Sequence, residues 1–576
     1  MNKILLFILI IILNLTSTIF GSEFLKTQGQ IIVNENNDKV ILKGFGLGGW
    51  LVLEGYMWNC NIEHASTTRM ENSILDLVGE EKKNQFFNIY RENYITEKEI
   101  SFLSEQGFNA LRIPLHYRDF SPNLGQFISN GFDILEPIIE LCKKYGVYII
   151  LDMHAAPGGQ NTSDFSDSDG EEAKLFTDIN NQRWLASTWR YIAEYYSEET
   201  IIGAYDLLNE PVIPWGYSAE LLRNIYERTI DSIRTVDPNH IVIIEGNWYG
   251  NDHTGLLPPF DDEMVYSFHH YIGGSTDTTT MYRQYKTDIS LDYNVPLWVG
   301  EFGENSNYWG HNIKSFFERN NIGWSWWNFK SVERISSLFS YDITDEYQIL
   351  IDYWQQGGIK PDTNTAFNGL ISMANSIQFD SCRINLGLSM ALIDTSYYYN
   401  HVPFSNFSPP GLLPAVNYDI GNHEITYFDN QVEDPNKFQE ESTAWNDGWS
   451  FRNDGVDIQK DETNSREEYY VCCIENEEWM RYTMNSNKTG IFKMMAEISS
   501  FNSGSKLSVQ IDSTLALGPI NIPNTNGWTN WRIVELGDIT ISGKTEIKIL
   551  ANIGGFNLKN IFFEEVDLSS IPMELK

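Results

Sequence analysis

The 576-residue chain is long enough for two or three domains, and its 42 % hydrophobic content is that of a globular protein, not a disordered or multispan membrane one. A net charge of −38 repels nucleic acid and anionic membrane surfaces, and it leaves a neutral polymer as a compatible partner. Aromatic content is 14 %, with 17 Trp and 30 Tyr, and flat rings suit the apolar faces of sugars even though most of them serve the core.

Lys3, an apolar run over 4–13, and small and polar residues up to Gly21-Ser22 have the order of a secretory signal. The run is too short to span a bilayer comfortably. Residues 1–22 are therefore expected to be a signal peptide, giving a secreted chain with no stable membrane insertion; an uncleaved anchor is the alternative. The five cysteines, Cys60, Cys142, Cys382, Cys472 and Cys473, cannot all pair within a monomer, and their spacing carries no metal signature. No disulfide, metal or cofactor is assigned. Asn161, Asn406 and Asn487 stand in Asn-x-Ser/Thr sequons and are candidate glycan sites.

The first element is a strand over 40–50 that runs into a glycine-rich loop without phosphate-cradle spacing. A helix over 95–106 follows, then a strand over 110–114, a helix over 134–145 and a strand over 147–154. The alternation continues with a helix over 184–196, a strand over 202–210, a helix over 221–236, and strands over 240–246 and 264–269. A strand over 297–301, a helix over 312–320 and a strand over 322–327 complete it. These eight strands read as continuous apolar runs, as parallel strands buried on both faces do. With helices between most of them, they predict a (β/α)₈ TIM barrel. A doubly wound open sheet is the rival, and the dinucleotide turn it requires is missing.

In such a barrel, function collects at the carboxyl ends of the strands. Those ends carry Trp50, Arg112, His154, Asn209-Glu210, Gly246-Asn247-Trp248, His269 with Tyr271, Glu301, and Trp327. A carboxylate at the end of a buried strand is costly to desolvate without a task or a partner, and here there are two, Glu210 and Glu301. Two opposed carboxylates are the minimal equipment for glycoside hydrolysis, one giving a proton to the leaving oxygen and the other attacking carbon or activating water. Arg112 and His269 are placed to tune the pair, and Trp327 and Trp50 to floor the sugar sites. Metal binding by His154, Glu210, His269 and Glu301 is the competing reading.

The stretches Leu-Arg112-Ile-Pro, Asp-Met-His154, Asn209-Glu210-Pro211, His269-x-Tyr271, Val-Gly-Glu301-Phe and Trp327 make residues 40–330 resemble glycoside hydrolase family five, a retaining (β/α)₈ family. The resemblance implies that Glu210 is the acid/base and Glu301 the nucleophile. It also implies that Asn209 holds the sugar 2-hydroxyl, that Tyr271 hydrogen-bonds the nucleophile, and that Arg112, His154, His269, Trp327 and Trp50 complete the substrate site. The segments 46–51 and 156–161 resemble those of exo-β-1,3-glucanases, whereas Tyr205 to Pro211 resembles cellulase-type members. The acidic loop over 162–178 is expected to shape one end of the cleft and to decide between exo and endo action.

Residues 331–395, with a helix over 367–377, are expected to close the barrel, so that a catalytic domain spans 23–395. A proline-bearing linker over 396–414 and an all-β, jelly-roll-like sandwich over 415–568 follow, the latter with strands over 477–483, 491–498, 506–511, 531–535 and 545–550. Arg452 to Ile458, Glu478-Trp479-x-x-Tyr482-Thr483, Gly527-Trp528 and Gly555-Phe556-Asn557-Leu558 make this domain resemble family six carbohydrate-binding modules. The resemblance implies a sugar cleft at Trp528 and Asn557. Val471-Cys472-Cys473 departs from that family's Val-Gly-aromatic step, and Pro414-Ala415-Val416 from its calcium-holding Glu-Ala-Glu. A purely structural sandwich is the alternative. The reading as a whole is a secreted retaining β-glucan hydrolase acting on β-1,4 bonds, with exo-β-1,3-glucanase as the alternative. A non-catalytic wall-adhesion protein is the reading from another class; a decayed enzyme, however, is expected to have lost one of the two glutamates.

Overall fold

The computed structural model describes residues 24–271, 277–430, 450–461 and 468–566. The segment read as a signal, 1–22, lies outside them. Eight parallel strands close a barrel in chain order: β1 (Lys43–Gly46), β2 (Ala110–His116), β3 (Tyr148–Ala155), β4 (Ile202–Asp206), β5 (Ile241–Glu245), β6 (Met264–His270), β7 (Leu297–Gly303) and β8 (Gly323–Trp327), which returns to pair with β1. Every residue of β2 to β8 is buried, which is why these strands are uninterrupted apolar runs.

Helices α1 (Glu97–Gln106), α2 (Asn130–Tyr145), α3 (Ile179–Tyr196), α4 (Glu220–Arg234) and α5 (Asn307–Arg319) flank the strands. α1 shows how the sequence sets an end: Thr96 and Glu99 form a capping box, and Gly107 takes the left-handed conformation that stops the helix (φ 95°). Glu99 is also a partner of Lys330, just past β8. The buried Lys330 ammonium donates to Glu99 (2.8 Å) and to the carbonyls of Tyr94 (2.6 Å) and Ile377 (2.8 Å). One cation thus ties the chain after β8 to the helices before β2 and to the end of the helix Thr363–Ser376.

Beyond residue 410, antiparallel strands fold around a second apolar core that includes Tyr427, Met484, Phe492, Ile498, Ile541 and Leu558. The strands expected over 477–483 and 491–498 are two halves of one strand, Trp479–Ser500; those over 531–535 and 545–550 are two halves of Gly527–Ile553. These two long strands pair along most of their length, with register shifts where they bend. The sandwich meets the barrel at the loop after β7: Asn307 N donates to the Asn453 carbonyl (2.9 Å), and the Asn453 amide donates to Asn305 O (2.7 Å) and Asn307 Oδ1 (3.1 Å).

Candidate active site

Arg112, within β2, is completely buried and organises the centre of the site. Its guanidinium donates to Asp206 (3.0 Å), Glu301 (2.6 Å), Asn209 Oδ1 (2.8 Å) and Glu245 (3.0 Å), and Asp152 stands 3.2 Å away. The planar five-donor fork suits this duty; a lysine could not serve so many acceptors. β4 ends at Asp206, so Asn209 and Glu210 lie on the loop that follows it rather than on the strand. Glu210 has φ 48°, a left-handed conformation that costs an ordinary residue about 1–2 kcal/mol. Two neighbours hold it there: Glu245 Oε2 accepts from its N–H (2.7 Å), and the Asn161 amide donates to its carbonyl (2.9 Å).

Glu210 and Glu301 face each other across His269. The ring Nδ1 donates to Glu210 Oε1 at 2.7 Å and lies 3.6 Å from Glu301 Oε2, while Nε2 stands 3.0 Å from Glu245. One oxygen each of Glu210 and Glu301 and one ring nitrogen of His269 all lie within 4.8 Å of one another. Tyr271 donates its hydroxyl proton to Glu301 Oε2 (2.7 Å).

This asymmetry separates the two carboxyls. Burial raises the pKa of Glu210 above the ordinary carboxylate value, and the charges of Glu301 and Glu245 push it further against the opposing pull of His269. Burial also acts upward on Glu301, but His269, Arg112, His154 and the Tyr271 hydroxyl together hold it below the ordinary value. Burial alone would keep His269 neutral. Glu245, Glu301 and the hydrogen bonds to Glu210 and Glu245 instead hold it protonated well above the usual histidine range. Asp206, buried beside Glu245, is pushed well up.

The other expected residues fall in different places. His154 donates from Nδ1 to Asp152 (2.7 Å), its Nε2 lies 3.5 Å from the Asn209 amide, and its ring stacks on Trp327 at 5.5 Å. Of the four residues in the metal-binding reading, Glu210, His269 and Glu301 come together and His154 stands apart on Asp152. Trp50 is a correction. β1 stops at Gly46, and the Trp50 ring is 2 % exposed, stacked on Tyr94 and bonded to the Arg91 carbonyl, so it presents no face to a sugar. Asn161 is fully buried behind Glu210, which rules it out as a glycan site, whereas Asn406 and Asn487 are exposed. In the sandwich the Trp528 ring is 46 % exposed and stands 6.5 Å from exposed Phe501. Asn557 is buried, accepting from Cys473 N (3.2 Å) and donating to Trp528 O (2.8 Å), so it braces the backbone under Trp528 and does not face solvent beside its ring.

Sequence reasoning missed Asp152, Asp206 and Glu245, the buried acids around Arg112, and the bracing role of Gln160, whose amide donates to His154 O (2.7 Å) and Asn209 O (2.9 Å). An acid inside an otherwise apolar strand was the available signal. Glu54 was missed as well. It is buried, and its pKa is raised well up by burial and then by Glu301, Asp164, Glu304 and Glu210, which places it at the same cleft. The acidic loop stands on that side, fastened by Asp167 to Thr68 N (2.7 Å) and His116 (2.9 Å), and by Ser168 O to His64 (2.9 Å).

Residues 71–333 match the family model described as cellulase (glycosyl hydrolase family 5), and residues 449–565 the one described as carbohydrate binding module (family 6). Among curated proteins, a beta-xylosidase of Phanerodontia chrysosporium is 27 % identical over 380 residues, 58 % of this chain and 78 % of that protein. Endoglucanase C of Acetivibrio thermocellus is 33 % identical over 184 residues, 31 % of this chain and 51 % of that protein. A probable glucan 1,3-beta-glucosidase A of Aspergillus fumigatus is 26 % identical over 258 residues, 44 % of this chain and 59 % of that protein. The chain thus spans little more than half the length of the last two. The barrel is a glycosyl hydrolase family 5 domain, and it is followed by a family 6 carbohydrate binding module.

Proposed function

We propose that this hydrolase cleaves β-glucosidic bonds with retention, Glu301 attacking the anomeric carbon and Glu210 giving a proton to the leaving oxygen and then taking one from water. The observation that carries this reading is the pair itself: oxygens of the two carboxyls lie within 4.8 Å, and their pKa values are driven in opposite directions. Retention needs carboxyls about 5–5.5 Å apart, too close to admit a water between them. Splitting two carboxyls by environment is how one site supplies both an acid and a nucleophile. Arg112 and Tyr271 keep Glu301 ionised, while His269, held charged by Glu245, orients Glu210. Asn209 and His154, beside the two glutamates, are the sugar contacts in this reading; Trp327, 3 % exposed and stacked on His154, backs them, and the chain is secreted and acts on a polysaccharide outside the cell.

The substrate we favour is a β-1,4-glucan, on the strength of the cellulase-type match and the name of the endoglucanase relative. The exo-β-1,3 reading has an observation in its favour: the acidic loop is fastened through Asp167 to Thr68 and His116, and the charges of both its Asp164 and Glu301 act on buried Glu54. Glu210→Gln and Glu301→Gln are each expected to abolish release of reducing sugar with the fold retained. Undiminished activity in either variant refutes the assignment. Cellulose-type, mixed-linkage and β-1,3-linked glucans and β-1,4-xylan assayed side by side decide the bond, and release of single sugars from chain ends separates exo from endo action.

A further inference from the structure

Adjacent residues of an extended strand point to opposite faces of the sheet, so neighbouring cysteines on a strand normally hold their sulfurs apart. Cys472 and Cys473 do not. They lie in the strand β9 (Tyr469–Ile474), whose pairing with β10 (Phe556–Glu565) slips between Val471 and Ile474. Within that bulge Cys473 takes φ 56°, a left-handed conformation that a side chain disfavours, and the two sulfurs come within 3.1 Å of each other. A strained backbone that brings two sulfurs together is an observation in need of a role. The remaining cysteines differ in kind: burial raises the Cys60 thiol to about 12 and the Cys382 thiol to about 11, and pushes Cys142 up as well, which leaves them poor nucleophiles.

We propose that Cys472 and Cys473 form a redox modification site, closing to a vicinal disulfide at the expense of an external disulfide oxidant. Exposed Cys473 attacks a sulfur of the oxidant as its thiolate, making a mixed disulfide and releasing one thiol. Buried Cys472 then attacks the Cys473 sulfur, releasing the second thiol. Two thiols and one disulfide become one disulfide and two thiols, with both cysteine protons carried away on the departing thiols. The two sulfurs need to approach by about 1 Å to reach bonding distance.

The site has a lever on the sandwich surface. Cys473 N–H donates to Asn557 Oδ1, and the Asn557 amide donates to the carbonyl of Trp528, whose exposed ring stands beside Phe501. Ring closure fixes the bulge and, through Asn557, the backbone under that aromatic shelf. On the reading of this shelf as a sugar contact, which this second step rests on, the oxidised form holds glucan more tightly.

The test uses the full chain. Intact mass and the alkylated peptide carrying residues 472–473 are measured after incubation with oxidised glutathione and after reduction. The oxidised sample is expected to lose the mass of two hydrogens and to take up no alkyl group on that peptide; Cys473→Ser is expected to lose this response. Two alkyl groups on the peptide after oxidation overturn the proposal. Pull-down on insoluble glucan, with Glu301→Gln to prevent turnover, is expected to give several-fold more binding in the oxidised state. Equal binding in both states removes the lever. Binding in neither state overturns the sugar-contact reading of the shelf, while the disulfide assignment stands on its mass.

Discussion

Replacing Tyr271 by Phe keeps the ring and removes only the hydroxyl that donates to Glu301 Oε2 at 2.7 Å. A hydrogen bond to a charged acceptor in a buried site is worth about 1.5–3 kcal/mol, and about 1.4 kcal/mol corresponds to one pKa unit. The bond favours the ionised carboxylate and so helps to hold the Glu301 pKa down; without it that pKa rises. Hydrolysis on the proposed reading needs Glu301 ionised and Glu210 protonated. The acidic limb of the kcat/KM profile therefore moves upward by about one to two pH units in Tyr271→Phe, and the active window narrows from the acid side. The basic limb follows Glu210, whose hydrogen-bond partner is His269 and not Tyr271, and stays in place. Reducing-sugar release from a soluble glucan across the pH range, with circular dichroism as a check on folding, reads both limbs. An acidic limb that does not move in a folded variant, or a shift confined to the basic limb, refutes the division of roles between the two glutamates.

Lys330→Met leaves Glu99 buried without its cation, and unfolding in urea is expected to show a loss of about 3–5 kcal/mol; adding Glu99→Gln should restore a large part of it, and a double variant no better than the single one counts against the ion pair as the cause. Asp167→Ala frees the acidic loop from Thr68 and His116, and the products from a long glucan are expected to shift toward longer oligosaccharides; an unchanged product pattern means that the loop does not bound the cleft. Protein made in a glycosylating host is expected to carry glycan at Asn406 or Asn487 but never at Asn161, as peptide mass mapping can check; a glycan on Asn161 is incompatible with its burial behind Glu210.

The barrel was legible because strands buried on both faces leave a continuous apolar trace that needs no knowledge of partners. The helices Thr67–Val78 and Glu80–Tyr94 left a weaker one. Phe86, Phe87, Tyr90 and Tyr94 have modest helix propensity, and what holds the second helix is packing on Trp58, which no local pattern reveals. The two glutamates were legible because each closes an apolar run, although Glu210 lies past the end of β4 and Glu301 just inside that of β7. The acids around Arg112 were not, because each lies inside or at the close of an apolar run, and the cation that explains them is 40 to 133 residues away in the chain. Trp50 misled for a related reason: a strand end inferred from hydrophobicity overran the real end at Gly46, and four residues are enough to turn a ring from rim to core. In the sandwich, the strands expected over 477–483 and 491–498 left the polar stretch between them unassigned, whereas the backbone continues through it as strand.

Asn453 has a bearing on how separable the two halves of this protein are. Its backbone and amide grip Asn305 and Asn307, on the stretch of chain that leaves β7 only a few residues after Glu301. A sugar-binding module on a slack tether can be cut off or exchanged without the catalytic centre sensing it. Here the module is part of the scaffold that steadies the exit of the nucleophile-bearing strand. Trimming the chain back to the barrel would remove Asn453, strip Asn305 and Asn307 of the partner that joins them, and loosen the loop behind Glu301. Evolutionary exchange of this module is accordingly constrained at one edge, and a graft that does not reproduce the asparagine clasp inherits a looser enzyme.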